Sequence, residues 1–345
     1  MAFKDITGNP RVKSILSKGL TNNRLPNSLL FIGPDGVGKC ETALVVAKAL
    51  NCLNKRDDAC ETCSACKGIN AGNYTDVVLL NPAGDTYIKD QIGFLKQTCY
   101  LKPMVGKKRV FIVNEAERMN ESSANSLLKV LEEPPLFAYI ILISDNPFLL
   151  LSTIKSRCQI LTFSPVSRED IEISLTERGY TPEKARILSL MAGGNLKLAM
   201  EMEWEEVKAF KARAWHFFIS ILNKEDAAAV LKEFVFRQKH DGAEDLKKIL
   251  GILLFFCRDI LLLKQEGNID LLLNPDYLSD LKKAADMVPL QRLQLCLSEI
   301  DRTLYIMKKN VNYQLNLSAA YLHLSEYIST RAGINSDRII YDNSV

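Results

Sequence analysis

The chain has 345 residues, enough for two or three domains with sizeable cores. Its 47% apolar and 25% charged residues are ordinary globular values and exclude a disordered, collagenous or low-complexity chain. With 44 Lys and Arg against 41 Asp and Glu the net charge is +3, so bulk charge points to neither a nucleic-acid nor an anionic-membrane partner.

In chain order, residues 1–165 alternate short apolar runs with amphipathic stretches. The strands predicted are Leu29 to Ile32, Val77 to Leu80, Arg109 to Val113, Tyr139 to Ile143 and Gln159 to Phe163. Helices are predicted around Pro10 to Thr21, Lys39 to Leu50, Lys89 to Tyr100, Glu121 to Leu131 and Phe148 to Lys155. Strands alternating with helices predict an α/β three-layer sandwich with a largely parallel sheet. A polar insertion at about 51–73 interrupts it. Beyond Ser164-Pro165 the strand patterns stop: a small helical domain is expected over 166–203, with Ser167 and Thr181 as helix caps, and an all-helical domain over 204–330. Residues 331–345 have no sustained period and are expected to be poorly ordered. The longest greasy stretch, Ile249 to Cys257, is too short to span a bilayer, and Met1 to Ile6 lacks the features of a signal peptide, so the expectation is a cytoplasmic protein without a membrane partner.

Gly33-Pro34-Asp35-Gly36-Val37-Gly38-Lys39 fits the first seven positions of the phosphate-loop pattern, after a strand and opening a helix. Gly33, Gly36 and Gly38 let backbone N–H groups close around phosphate oxygens, and Lys39 adds a point charge at a helix N-terminus. The eighth position is Cys40, where a Ser or Thr hydroxyl would meet Mg²⁺; a thiol is a soft ligand, so Mg²⁺ is expected to be poorly held. ATP or ADP binding is left open. The third strand ends in Asn114-Glu115, where an NTPase presents Asp-Glu, so a second metal-holding group is missing. Glu115 is placed either to orient a water or to serve as a surface carboxylate.

Cys52, Cys60, Cys63 and Cys66 follow C-x7-C-x2-C-x2-C, four thiols in one short segment that suit a tetrahedral cage for structural Zn²⁺ with no open position for catalysis. The polar insertion has little with which to fold alone, and metal binding would provide that folding energy. An iron–sulfur run would continue with x3-C-P, which is absent.

Taken in order, Asn27 to Pro34, Asn114 to Glu117, Asn125 to Pro135 and Ser156-Arg157-Cys158 resemble the clamp-loader branch of the AAA+ ATPases, most of all its bacterial delta-prime type. The resemblance implies a P-loop AAA+ domain, a helical lid and a helical collar domain for oligomerisation. It implies a component of the DNA polymerase III holoenzyme that helps load the sliding clamp onto primed DNA, partnered by gamma/tau-type ATPase subunits and a delta subunit, with little or no ATPase activity of its own. It makes Arg157 an arginine finger acting in trans on a neighbour's ATP site, Lys197 the counterpart of the second sensor and Asn146 a candidate first sensor, although Asn-Pro also makes an ordinary turn. A zinc module occupies the same place in the family. The competing readings are an active gamma/tau-type ATPase using Glu115, and a zinc-dependent nucleic-acid-binding adaptor.

Overall fold

A computed structural model describes residues 1–54, 57–84, 86, 87, 89–236, 242–307 and 312–329. The chain forms two compact units, Met1–Glu201 and a second beginning at Met202. The helices expected as a separate small domain thus belong to the first unit. The expected tail at 331–345 lies outside the described residues.

The first unit runs α1 (Pro10–Thr21), β1 (Ser28–Ile32), α2 (Lys39–Asn51), α3 (Ser64–Asn70), β2 (Val77–Leu80), α4 (Lys89–Thr98), β3 (Arg109–Val113), α5 (Glu121–Glu132), β4 (Ala138–Ser144), α6 (Ser152–Lys155) and β5 (Gln159–Thr162). Then follow α7 (Arg168–Glu177), α8 (Pro182–Ala192) and α9 (Leu196–Glu201). The five strands form one parallel sheet in the order β2-β3-β4-β1-β5. Central strands covered on both faces read as continuous apolar runs, and β3 and β4 are buried at every position. Leu30, Phe111, Val113, Ile140 and Leu142 pack on one face against Ile92 and Leu95 of α4, Leu127 and Leu131 of α5, and Ile154 of α6. Helix α2 packs against β3 and β4.

Helices α7 and α8 start at the caps the sequence marks: Ser167 Oγ accepts the Asp170 N–H at 3.1 Å, and Thr181 Oγ1 accepts that of Lys184 at 3.4 Å. The helix predicted over Phe148 to Lys155 is shorter, because Asn146-Pro147 opens a turn and leaves only α6 at its end. Helix α3, inside the polar insertion, carries no apolar period and is not predicted.

Among the described residues of the second unit, the long regular elements are all helices: α10 (Trp204–Leu222), α11 (Ala227–Phe236), α12 (Gly242–Lys264), α13 (Leu278–Met287), α14 (Leu290–Met307) and α15 (Tyr313–Ser329). Its core is aromatic. Trp215 is fully buried with ring centroids 4.9 Å from Phe256 and 5.6 Å from Tyr277, while Phe217 meets Tyr321 edge-on at 5.5 Å. Among the described residues no helix is long and apolar enough to cross a membrane.

Candidate functional site

The carboxyl ends of β1, β3 and β4 meet at one edge of the sheet, the side on which open α/β sheets bind ligands. Gly33 leaves β1 with its N–H on the Ser144 carbonyl of β4, and the loop closes at Gly38, which caps α2 with φ +88°. Gly36 also has positive φ, and a Cβ there would run into the Asn195 side-chain amide, so only glycine fits. Asn195 lies at the start of α9, where its Oδ1 accepts the Leu198 N–H at 2.8 Å, and the Lys197 N–H donates to the Gly36 carbonyl at 3.2 Å. The phosphate loop and the lid helices are thereby latched to each other. A cavity of about 530 Å³ opens beside the latch, lined by Gly36, Gly38, Glu41, Arg178, Lys197 and Glu201 among others.

Lys39 is 5% exposed, and its ammonium is fully engaged by the chain itself. It donates to the Gly33 carbonyl at 2.8 Å and to the Pro34 carbonyl, and pairs with Asp145 Oδ1 at 2.8 Å. Asp145 is a residue the sequence gives no reason to single out; it reaches the loop because β4 lies next to β1. Its neighbour Asn146, the candidate first sensor, instead holds the turn, its Oδ1 accepting the Phe148 N–H at 3.2 Å. Glu117 Oε1 accepts the Asp145 N–H at 3.1 Å, and its other oxygen is buried without a partner.

The residues on which a metal–triphosphate complex would depend do not fit it. Cys40 is half-buried; desolvation and the Glu41 charge push its thiol up to about 11, so it offers a neutral, soft sulfur where a hard oxygen is wanted. The Asn114 amide donates to Asn81 Oδ1 at 3.2 Å. Glu115 has φ +48° and its carboxylate pairs with Arg118 Nε at 2.7 Å. The glycines and the helix N-terminus remain suited to phosphate.

Arg157 lies between α6 and β5, 30% exposed. Its Nε pairs with Glu132 Oε2 at 3.1 Å, and a terminal nitrogen donates to the Thr153 carbonyl at 3.1 Å. An ion pair this exposed is worth about 0–1 kcal/mol, so the guanidinium is easily exchanged to another anion.

The sulfurs of Cys52, Cys60, Cys63 and Cys66 all lie within 4.8 Å of one another, a donor set that fits a tetrahedral Zn²⁺. Cys63 caps α3, and the N–H groups of Cys63 and Cys66 point at the sulfurs of Cys60 and Cys63 at 3.3 and 3.5 Å. The Thr62 hydroxyl, with the backbone N–H groups of Cys63 and Thr62, pulls the Cys60 thiol down to about 5, while desolvation pushes Cys66 up to about 12. Buried Lys48 of α2 fastens this segment to the α/β core, donating to Glu61 Oε1 at 2.6 Å and Asn70 Oδ1 at 2.9 Å. The other cysteines are apart from it, and Cys99, Cys257 and Cys296 are buried in the cores.

Residues 8–167 match the protein family described as "DNA polymerase III, delta subunit". The chain is 31% identical over 316 residues to the DNA polymerase III subunit delta' of Bacillus subtilis, covering 91% of this chain and 94% of that one. It is 36% identical over 173 residues to the DNA polymerase III subunit tau/gamma of Haemophilus influenzae, covering 50% of this chain and 25% of that one. Among solved structures, a gamma subunit-related protein of DNA polymerase III from Thermotoga maritima aligns over 92% of this chain and 98% of that one, with 18% identity and a TM-score of 0.44. With a five-stranded parallel sheet carrying a phosphate loop, followed in the chain by a helical unit, the chain belongs to the delta-prime family of clamp-loader-type DNA polymerase III subunits.

Proposed function

We propose that this chain is a non-motor subunit of the clamp loader: it binds gamma/tau-type ATPase subunits and a delta subunit in the cytoplasm, helps place the sliding clamp on primed DNA, and hydrolyses little or no ATP itself. Arg157 acts in trans as an arginine finger on a neighbour's ATP site, and Cys52, Cys60, Cys63 and Cys66 hold a structural Zn²⁺.

The observation that carries this reading is the contrast between two cations. Lys39, at the chain's own phosphate loop, is buried with all three hydrogens engaged, beside a thiol and an amide where metal-holding groups are needed. Arg157 stands at the surface on an exposed, exchangeable carboxylate. A planar, permanently charged guanidinium matches the equatorial charge of a phosphoryl-transfer transition state, and a finger of this kind contributes about 10³ to 10⁵ in rate. The names of the relatives support the partners.

The test is the Arg157→Ala chain reassembled with its partner subunits, reading ATP turnover in the presence of clamp and primed DNA. Turnover at the neighbouring site is expected to fall by about 10³-fold or more with assembly intact. An unchanged rate would overturn the trans role.

A further inference from the structure

We propose that Asp145 is a built-in occupant of the phosphate loop, a carboxylate that takes the place of a nucleotide's phosphate on Lys39 and sets how weakly this subunit binds nucleotide. The inference deepens the reading above and rests on its claim that this chain's own site is at rest.

An ammonium has three hydrogens to donate. Those of Lys39 go to the carbonyls of Gly33 and Pro34 and to Asp145 Oδ1 at 2.8 Å. The two carbonyls belong to the loop itself, so the Asp145 carboxylate is the one anion on the lysine among the described residues. A phosphate arriving at Lys39 must displace a carboxylate already paired with it, or accept that like charge alongside. Asp145 is also held in place: β4 ends beside β1, with the Gly33 N–H on the Ser144 carbonyl at 3.3 Å, and Glu117 accepts the Asp145 N–H at 3.1 Å. The surroundings add to the effect, since the adjoining cavity is lined by Asp5, Glu41, Glu177 and Glu201 against Arg178 and Lys197. An excess of acidic side chains beside the loop disfavours a polyanion there.

The experiment measures binding to the full-length isolated chain, with a fluorescent ADP carrying a methylanthraniloyl group on the ribose, with and without Mg²⁺. Asp145→Asn and Asp145→Ala are each expected to bind it at least tenfold more tightly than the unsubstituted chain, and adding Lys39→Ala to either is expected to abolish the gain. A role in folding alone would produce a loss rather than a gain. Affinity unchanged in both variants, or a gain that survives Lys39→Ala, would overturn the inference. Neither result bears on the Arg157→Ala measurement, which reads a neighbour's site in the assembled complex, so failure here and failure of the trans role are told apart.

Discussion

Asp76 stands fully buried just before β2, and its carboxylate accepts the N–H groups of Met104, Val105 and Gly106 at 2.7–2.8 Å, fixing the loop that leads into β3. Desolvation alone would raise its pKa, but those N–H groups and nearby Arg109 hold it below the ordinary carboxylate value. Asp76→Ala leaves buried donors unpaired and is expected to cost about 3 kcal/mol in urea unfolding. A shift of only a few tenths would refute the role. Because the folded value is the lower one, the stabilisation is complete above about pH 4, the unfolded value, and is lost as the pH falls through the folded value. The gap between the unsubstituted chain and Asp76→Asn should therefore stay constant from pH 7 to pH 5 and shrink in stronger acid; a gap that instead widened on acidification would contradict the assignment. A second residue-scale prediction concerns the latch. Gly36→Ala combines positive φ with a collision at Asn195, and limited proteolysis should find the lid helices cut faster than in the unsubstituted chain. Cys40 and Asn114 were legible in the sequence because the phosphate-loop motif and the third strand name their positions. Asp76 and Asp145 were not, since each acts on a segment that only strand pairing brings near it.

At the scale of elements, legibility followed burial. Strands β3 and β4 are covered on both faces and stand out as unbroken apolar runs, so their positions were readable to within a residue. The turn after Asn146-Pro147 was misread as helix because Phe148, Leu149, Leu150 and Leu151 look like an apolar face; Phe148 and Leu149 are in fact 91% and 67% exposed. Helix α13 falls within the span read as all-helical, although its buried face, Leu281 with two alanines, gives only a weak apolar signal of its own. Helix α3 was hidden for a different reason: it starts on a cysteine cap and is organised by sulfur atoms rather than by an apolar stripe. That dependence makes a prediction. The purified chain should carry one Zn²⁺ by elemental analysis, and removing it with a chelator, or substituting Cys63→Ser, should open residues 57–73 to protease while the parallel sheet resists. Equal protection with and without metal would show that the segment folds unaided.

The whole molecule keeps the scaffold of an ATPase while its cations are deployed unequally. The loop, the sheet edge and the lid are all in place, and the family relation spans most of the chain. At that edge the oxygen ligands needed to hold a metal, a hydroxyl and a carboxylate, are replaced by Cys40 and Asn114, Glu115 is paired with Arg118, and Lys39 is paired with Asp145. Arg157, by contrast with Lys39, is partly exposed and paired with an exposed carboxylate it can release. This is the arrangement expected if, as proposed, the chain completes a neighbour's chemistry rather than running its own. The direct test compares Lys39→Ala with Arg157→Ala, each reassembled with the partner subunits, by ATP turnover in the presence of clamp and primed DNA. The account predicts that Lys39→Ala turns over ATP within about twofold of the unsubstituted assembly, whereas Arg157→Ala loses about 10³-fold or more at the neighbouring site. Collapse with Lys39→Ala and indifference to Arg157→Ala would mean that this subunit is itself a motor.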